Sequence, residues 1–346
     1  MRDRTLQEHR NQQVLADVVR FYIETGEPVS SRSISRRYAE KLSPATIRNV
    51  MADLEDVGYL SHPHTSAGRI PTDLGYRYYI DYLMEVEELS TAERQSINNL
   101  IEQAVETDDL LRETSKLLSK ISRQLSVVSS PHLSSGIFEK LELIALSSSK
   151  LLVVISIRSG LVKTVMLEVQ AEMKRDSLMQ VGRLLNERLT GLTFQQIRDT
   201  FIERVKDMQS EESGLVRLFI ESVDQLFDDA KDRDKLHVSG AQTIIEQPEF
   251  IDPKNFRSVI ELVENEDIIV HLLEKHEAAE KGFVVTIGHE NNEDIAKDYS
   301  DVTATYDIDG SSGRVGIIGP KRMNYSKVIP LVDHVAKTIA RMLRAQ

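Results

Sequence analysis

The stretch from Ser43 to Thr72, SPATIRNVMADLEDVGYLSHPHTSAGRIPT, constrains the fold more than any other part of the chain. Ser43 suits a helix N-cap, and Pro44 follows at the first helical position, where its missing amide hydrogen costs nothing. Ile47, Val50, Met51, Leu54 and Val57 then recur at helical spacing, so one face is core and Thr46, Arg48, Asn49, Ala52 and Asp53 lie on the other. Gly58 ends the helix. Tyr59-Leu60 opens a strand, HPHTSAG turns at Gly68, and Arg69-Ile70-Pro71 returns before Thr72 caps a further helix.

Two helices precede this unit. Val14, Leu15, Val18, Val19, Tyr22 and Ile23 form an amphipathic stripe that Gly26 terminates. After Pro28, serines cap a short helix over Ser31 to Lys41 with Ile34 and Tyr38 facing inward. Three helices with a tight middle connection and then a hairpin form the winged variant of the helix-turn-helix. Its third helix presents amide donors and a positive dipole end to a DNA backbone. Arg48 then suits guanine, Asn49 adenine or phosphate, Ala45 and Thr46 a thymine methyl, and Ser43 a phosphate. Arg32 and Arg36 on the second helix, Arg69 at the wing tip, and His64 and Ser66 in the turn complete the expected DNA-contact set.

A net charge of −12 looks unfavourable for nucleic acid, but its distribution matters more than its sum. Through residue 84 basic and acidic residues balance at 11 each, so the acidity lies further on. Between Pro28 and Ala52, Arg32, Arg36, Arg37, Lys41 and Arg48 face a single acid, Glu40. With 346 residues the chain suits two or three domains. It has no apolar run long enough for a membrane span, no secretory leader and no cysteine, which together suggest a soluble cytoplasmic protein. His62 and His64 lack a third donor for a metal site, and the Tyr76, Tyr78, Tyr79, Tyr82 run suits packing better than base stacking.

From Ser90 to Val128 apolar residues keep helical period, as one helix or two. SSPHLSSG breaks the pattern, and LELIALSSSKLLVVISIRSGLVKTVMLEV gives three strands that begin an antiparallel sheet. Helical spacing returns from Asp176 to about Lys231, where the stripe Leu215, Leu218, Phe219, Val223, Leu226 and Phe227 suits a dimer contact. Further strands occur in GFVVTIGHE, VTATYDID and GRVGIIGP, before a closing helix over Tyr325 to Leu343. The class is α+β, and the later part resembles the small-molecule sensor fold called GAF. Walker A, GxGxxG, GxSxG, HExxH and Cys-His patterns are lacking, so neither catalytic residues nor a cofactor is expected.

The Ser43–Met84 stretch, QPEF at 247–250, IGHEN at 287–291 and IGPKRMNYSKVI at 318–329 together closely resemble HrcA, a family of bacterial heat-inducible transcription repressors. The resemblance covers essentially the whole chain in order. It implies a winged helix over 1–89, a GAF-like regulatory domain over 90–346, and an inserted, mainly helical dimerisation region near 170–236. It also implies a homodimer that binds an inverted-repeat operator of the CIRCE type ahead of chaperone operons and is modulated by the GroE chaperonin. Val50 stands where many relatives carry Glu, and by periodicity it faces the core. The alternatives are a similar repressor that senses a metabolite in its GAF-like domain, and an enzyme carrying a DNA-binding domain, for which no motif is present.

Overall fold

The structure is a computed structural model that describes every residue except 1, 38–41, 64–67, 104–105, 132–135, 159, 170–173, 209–212, 228–235, 251–252, 275–281, 292–293, 309 and 345–346. Three helices open the chain: α1, Arg2–Thr25, α2, Ser31–Arg37, and α3, Pro44–Asp56. Their stripes Val14-Leu15-Val18-Val19, Ile34 and Ile47-Val50-Met51-Leu54 meet in one apolar cluster, as helical spacing requires. Strands β1, Leu60–Ser61, and β2, Ile70–Pro71, pair antiparallel, with Leu60 opposite Pro71. Thr72 caps α4, Asp73–Tyr78, by accepting the amide of Gly75 at 3.1 Å, and α4 runs into a π-helical turn over Tyr79–Leu83.

Helices α5, Thr91–Gln103, and α6, Thr107–Ser122, follow. The helical pattern expected to reach Val128 stops earlier, because Arg123 adopts a left-handed φ of 56° and the chain enters strand β3, Leu125–Ser129. All five β3 residues are buried: Leu125 and Val127 face one helical layer, while Ser126 and Val128 face the other. A strand covered on both faces lacks polar alternation, and periodicity cannot separate it from a buried helix segment.

Strands β4, Phe138–Ser147, β5, Lys150–Ile157, and β6, Val162–Glu168, occupy the three expected segments but pair only with one another. Four helices cover this sheet: α7, Arg175–Leu189, α8, Phe194–Val205, α9, Ser213–Glu221, and α10, Val223–Phe227. The stripe expected to meet a second subunit is turned inward: Phe219, Leu226 and Phe227 are at most 1% exposed. Phe227 sits among Phe138, Phe194 and Phe201, with ring centroids 5.5 to 6.2 Å apart. The chain then returns as β7, Leu236–Ser239, which pairs with β3 so that Leu236 lies opposite Ser129. The whole unit from β4 to α10 is thus inserted between two neighbouring strands, and it includes β-structure well before residue 170.

Three helices, α11, Ala241–Ile245, α12, Pro253–Glu264, and α13, Glu266–Glu274, precede strands β8, Phe283–Ile287, β9, Tyr299–Ile308, and β10, Ser311–Pro320. Helix α14, Tyr325–Leu343, closes the described chain. Among the described residues the main sheet has five strands in the order β7-β3-β10-β9-β8, antiparallel throughout. Helices α6 and α14 cover one face and α11 to α13 the other. The fold is therefore a mixture of helices and antiparallel sheets. The apolar cluster of the three N-terminal helices continues through Tyr76 and Tyr79 into α14, so the N-terminal unit packs directly on this body. No helix among the described residues is long and apolar enough to cross a membrane.

Candidate nucleic-acid interface

At the start of α3 the Ser43 hydroxyl accepts the Thr46 amide at 3.1 Å and lies 2.9 Å from the Thr46 hydroxyl. Ser43 therefore acts first as the cap of this helix. With Ile47, Val50, Met51 and Leu54 buried, Ala45, Arg48, Asn49 and Ala52 are left exposed on the opposite side, and Thr46 is half-buried. Spacings of three and four residues place Ala45, Arg48, Asn49 and Ala52 on one continuous face. Val50 is 3% exposed and packs in the core rather than on the exposed face.

Helix α2 packs against α3 and exposes Arg32 and Arg36 four residues apart. Neither of these nor Arg48 has an ion-pair partner among the described residues, which leaves three guanidinium groups free to meet phosphate. Arg37 differs. Its guanidinium lies 5.4 Å from the Phe21 ring centroid and is paired with Glu24, so it ties α2 to α1.

The hairpin is fixed to the helices at its base. Val29 and Arg69 exchange two backbone hydrogen bonds of 2.8 and 2.9 Å, which adds a third edge to the two-stranded ribbon. Gly68 makes this approach possible, since a Cβ there would lie 2.5 Å from the Val29 carbonyl oxygen. Arg69, expected at the wing tip, instead lies at this base with its guanidinium 2.6 Å from the Glu55 carboxylate. Glu55 also pairs with the His62 ring, so one acidic residue in the last turn of α3 holds both strands of the hairpin. The physical reason is local charge: a cation beside a helix carboxylate closes on it before it reaches outward. His64 and Ser66 lie outside the described residues.

The structure thus brings Ser43, Ala45, Thr46, Arg48 and Asn49 together on α3 beside Arg32 and Arg36 on α2, and withdraws Arg69. Sequence reasoning missed Glu55. Its spacing of seven residues from His62 and fourteen from Arg69 becomes meaningful only once the hairpin folds back on α3. No group of three or more His, Asp or Glu side chains among the described residues is arranged to hold a metal ion.

The family model for the HrcA protein C terminal domain matches residues 108–329. The heat-inducible transcription repressor HrcA of Chlorobium phaeobacteroides (strain BS1) is 41% identical over 344 residues, covering 96% of this chain and 97% of that protein. The repressor of the same description from Prosthecochloris aestuarii is 39% identical over 341 residues, covering 96% of each. The chain belongs to the HrcA family. HrcA proteins are heat-inducible transcription repressors and not enzymes. A crystal structure of a hypothetical protein, 23% identical, covers 97% of this chain and 98% of its own with a TM-score of 0.57, which shows a shared fold. The HrcA match spans the five-stranded and three-stranded sheets and reaches the first turn of α14, so the inserted three-stranded unit is part of the family's architecture.

Proposed function

We propose that this HrcA-family chain is a DNA-binding repressor of heat-shock chaperone operons whose residues 1–89 act as a winged helix-turn-helix domain on an inverted-repeat operator of the CIRCE type. The observation that carries this reading is the exposed face of α3, with its capped start, short side chains at Ala45 and Thr46, and Arg48, without an ion-pair partner among the described residues, beside Arg32 and Arg36. Short residues let the helix approach base edges while the guanidinium groups supply the phosphate and guanine contacts. The hairpin, seated on Glu55, is the wing. His64 and Ser66 belong to this surface as wing-turn residues on the strength of the sequence.

An inverted repeat calls for a two-fold dimer. The outer face of the β4-β5-β6 sheet supports one: Ile144 lies opposite Leu152 and Leu152 opposite Met166, with Ile144, Leu146, Val162 and Met166 all more than 40% exposed. A contiguous apolar face on a sheet suits contact with a second copy, so the inserted unit is proposed as the dimerisation region. The five-stranded sheet between helical layers is the proposed GAF-like domain. Modulation by the GroE chaperonin and a cytoplasmic setting rest on the family resemblance. The test is a salt-controlled anisotropy titration against an inverted repeat from a chaperone promoter and a scrambled duplex. Preference for the repeat by orders of magnitude supports the proposal, and equal binding before and after chaperonin treatment sinks it.

A further inference from the structure

Three motifs far downstream, QPEF, IGHEN and IGPKRMNYSKVI, lie between 191 and 285 residues from the interface helix in sequence and take no part in its DNA-facing surface. In space they converge on the two ends of the unit formed by α2, α3 and the hairpin. At its exit Asp73, the first residue after the hairpin and its cap, receives the Lys321 ammonium at 2.9 Å. The same carboxylate accepts the His289 backbone amide at 3.0 Å and lies 2.6 Å from the His289 ring. Gly288 permits this, with φ +51° and no Cβ, because a Cβ would sit 2.3 Å from the Asp73 carboxylate oxygen. One turn on, Arg77 donates to Glu290 at 2.9 Å and to the Val285 carbonyl at 2.7 Å.

At the entry the adjacent Arg322 reaches the other way. It donates to the Ile23 carbonyl near the end of α1 at 3.2 Å and forms a two-toothed pair with Glu249 of QPEF, one tooth at 3.0 Å. Arg322 is only 16% exposed, and Asp73 only 22%. The neighbours Lys321 and Arg322 therefore grip opposite ends of residues 27–72, each seated by a carboxylate or imidazole from another motif. An oily contact between Tyr76 and Tyr325 already holds the surfaces together, with centroids 6.1 Å apart. Apolar contacts tolerate sliding, whereas partly buried charged hydrogen bonds fix direction and register.

We propose that Lys321 and Arg322, with Asp73, Glu249, His289 and Glu290, form a latch that sets the orientation of the DNA-reading unit on the body of the repressor. The consequence for operator choice rests on the function proposed above. In a two-fold dimer the separation and tilt of two recognition helices are fixed through the bodies, so this latch determines which half-site spacing fits. Lys321 and Arg322 are positioning residues: they touch no DNA and act through Asp73 and the end of α1.

The experiment has two arms, both on the full chain. The chain has no cysteine, so Asp53→Cys on α3 and Lys337→Cys on α14 give a specific spin-label pair across the latch, read by pulsed dipolar spectroscopy with excess unlabelled chain. The second arm titrates a single half-site, the inverted repeat, and repeats with altered spacers. In Lys321→Ala/Arg322→Ala the distance distribution should broaden, half-site affinity should stay within about twofold, and preference for the native spacer should fall about tenfold as preorganisation is lost. Lys321→Gln alone, which keeps the aliphatic stem, covers the case in which the double variant does not fold. An unchanged narrow distribution overturns the latch, and so does a parallel loss of half-site binding, which would mean that the reading unit itself was damaged. If the wild-type chain prefers no repeat over scrambled DNA, the operator function fails instead. The distance arm, which uses no DNA, still decides the latch.

Discussion

Replacing Gly68 by alanine tests whether the hairpin is built as described. The added Cβ would meet the Val29 carbonyl oxygen at 2.5 Å and its carbon at 2.6 Å, and both are backbone atoms that cannot swing aside. The ribbon has two ways to respond. It can move off Val29 and forfeit the two Val29–Arg69 backbone bonds of 2.8 and 2.9 Å, at roughly 1 kcal/mol net for each. It can also keep them and accept crowding, which typically costs about 1–3 kcal/mol. Both routes give about 2 kcal/mol, or roughly thirtyfold in the folding constant of the N-terminal unit. Moving the ribbon also pulls Arg69 and His62 from Glu55, so the wing loses its seat on α3. Urea titration followed by far-ultraviolet circular dichroism reads the stability, and operator anisotropy reads the wing. Gly214→Ala in α9 is the control: nothing lies within 4 Å of its added Cβ, so it should be neutral or stabilising by up to about 1 kcal/mol. A Gly68→Ala protein as stable as wild type, with unaltered operator binding, would refute the close-approach reasoning.

Ser43→Ala removes the acceptor of the Thr46 amide and should cost about 1 kcal/mol, measured by the same urea titration. Phe227→Ala empties the centre of an aromatic cluster in the inserted unit and should cost about 3–5 kcal/mol, seen as early unfolding of that unit by hydrogen exchange. Acid should loosen the contact between the N-terminal unit and the body. Burial alone would push the Asp73 carboxyl up, but hydrogen bonds from His289 and Lys321 outweigh it and leave the group below its ordinary value. The Lys327 ammonium, followed by Ser90, holds Glu93 down to about 2. Carboxyl groups depressed by folding contribute stability that is complete above about pH 5 and is lost as pH falls through their folded values. Thermal midpoints measured from neutral pH downward should therefore fall less steeply in Asp73→Asn and Glu93→Gln than in wild type.

The N-terminal unit was legible because its signals are local. The Ser43-Pro44 start, the spacing of Ile47, Val50, Met51 and Leu54, and the Thr72 cap each act within one or two helical turns, and all appear as read. Val57 was assigned to the core face, yet it lies just past the helix and is 59% exposed, since periodicity does not mark where a helix stops. Strand β3 was hidden by its burial between two layers, and the left-handed turn before it falls on Arg123 rather than on a glycine. The stripe from Leu215 to Phe227 shows an apolar face correctly but cannot say what covers it, and here the covering is the chain's own sheet. Of the interface, side chains on α2 and α3 were readable from exposure patterns, while Arg69 was misplaced because its partner Glu55 is fourteen residues away. The latch joins residues more than 200 positions apart, such as Asp73 and Lys321, which no local rule can pair.

The central claim is that α3 reads DNA, and Arg48→Ala tests it most directly. Arg48 is exposed, has no ion-pair partner among the described residues, and lies opposite the buried face of α3, so its loss should leave the fold intact. In a salt-controlled anisotropy titration, wild type and variant are compared on the inverted repeat and on a scrambled duplex. The account predicts that the substitution removes about 1–3 kcal/mol of preference for the repeat while binding to scrambled DNA weakens only slightly. An Arg48→Ala protein that keeps the full preference would contradict it.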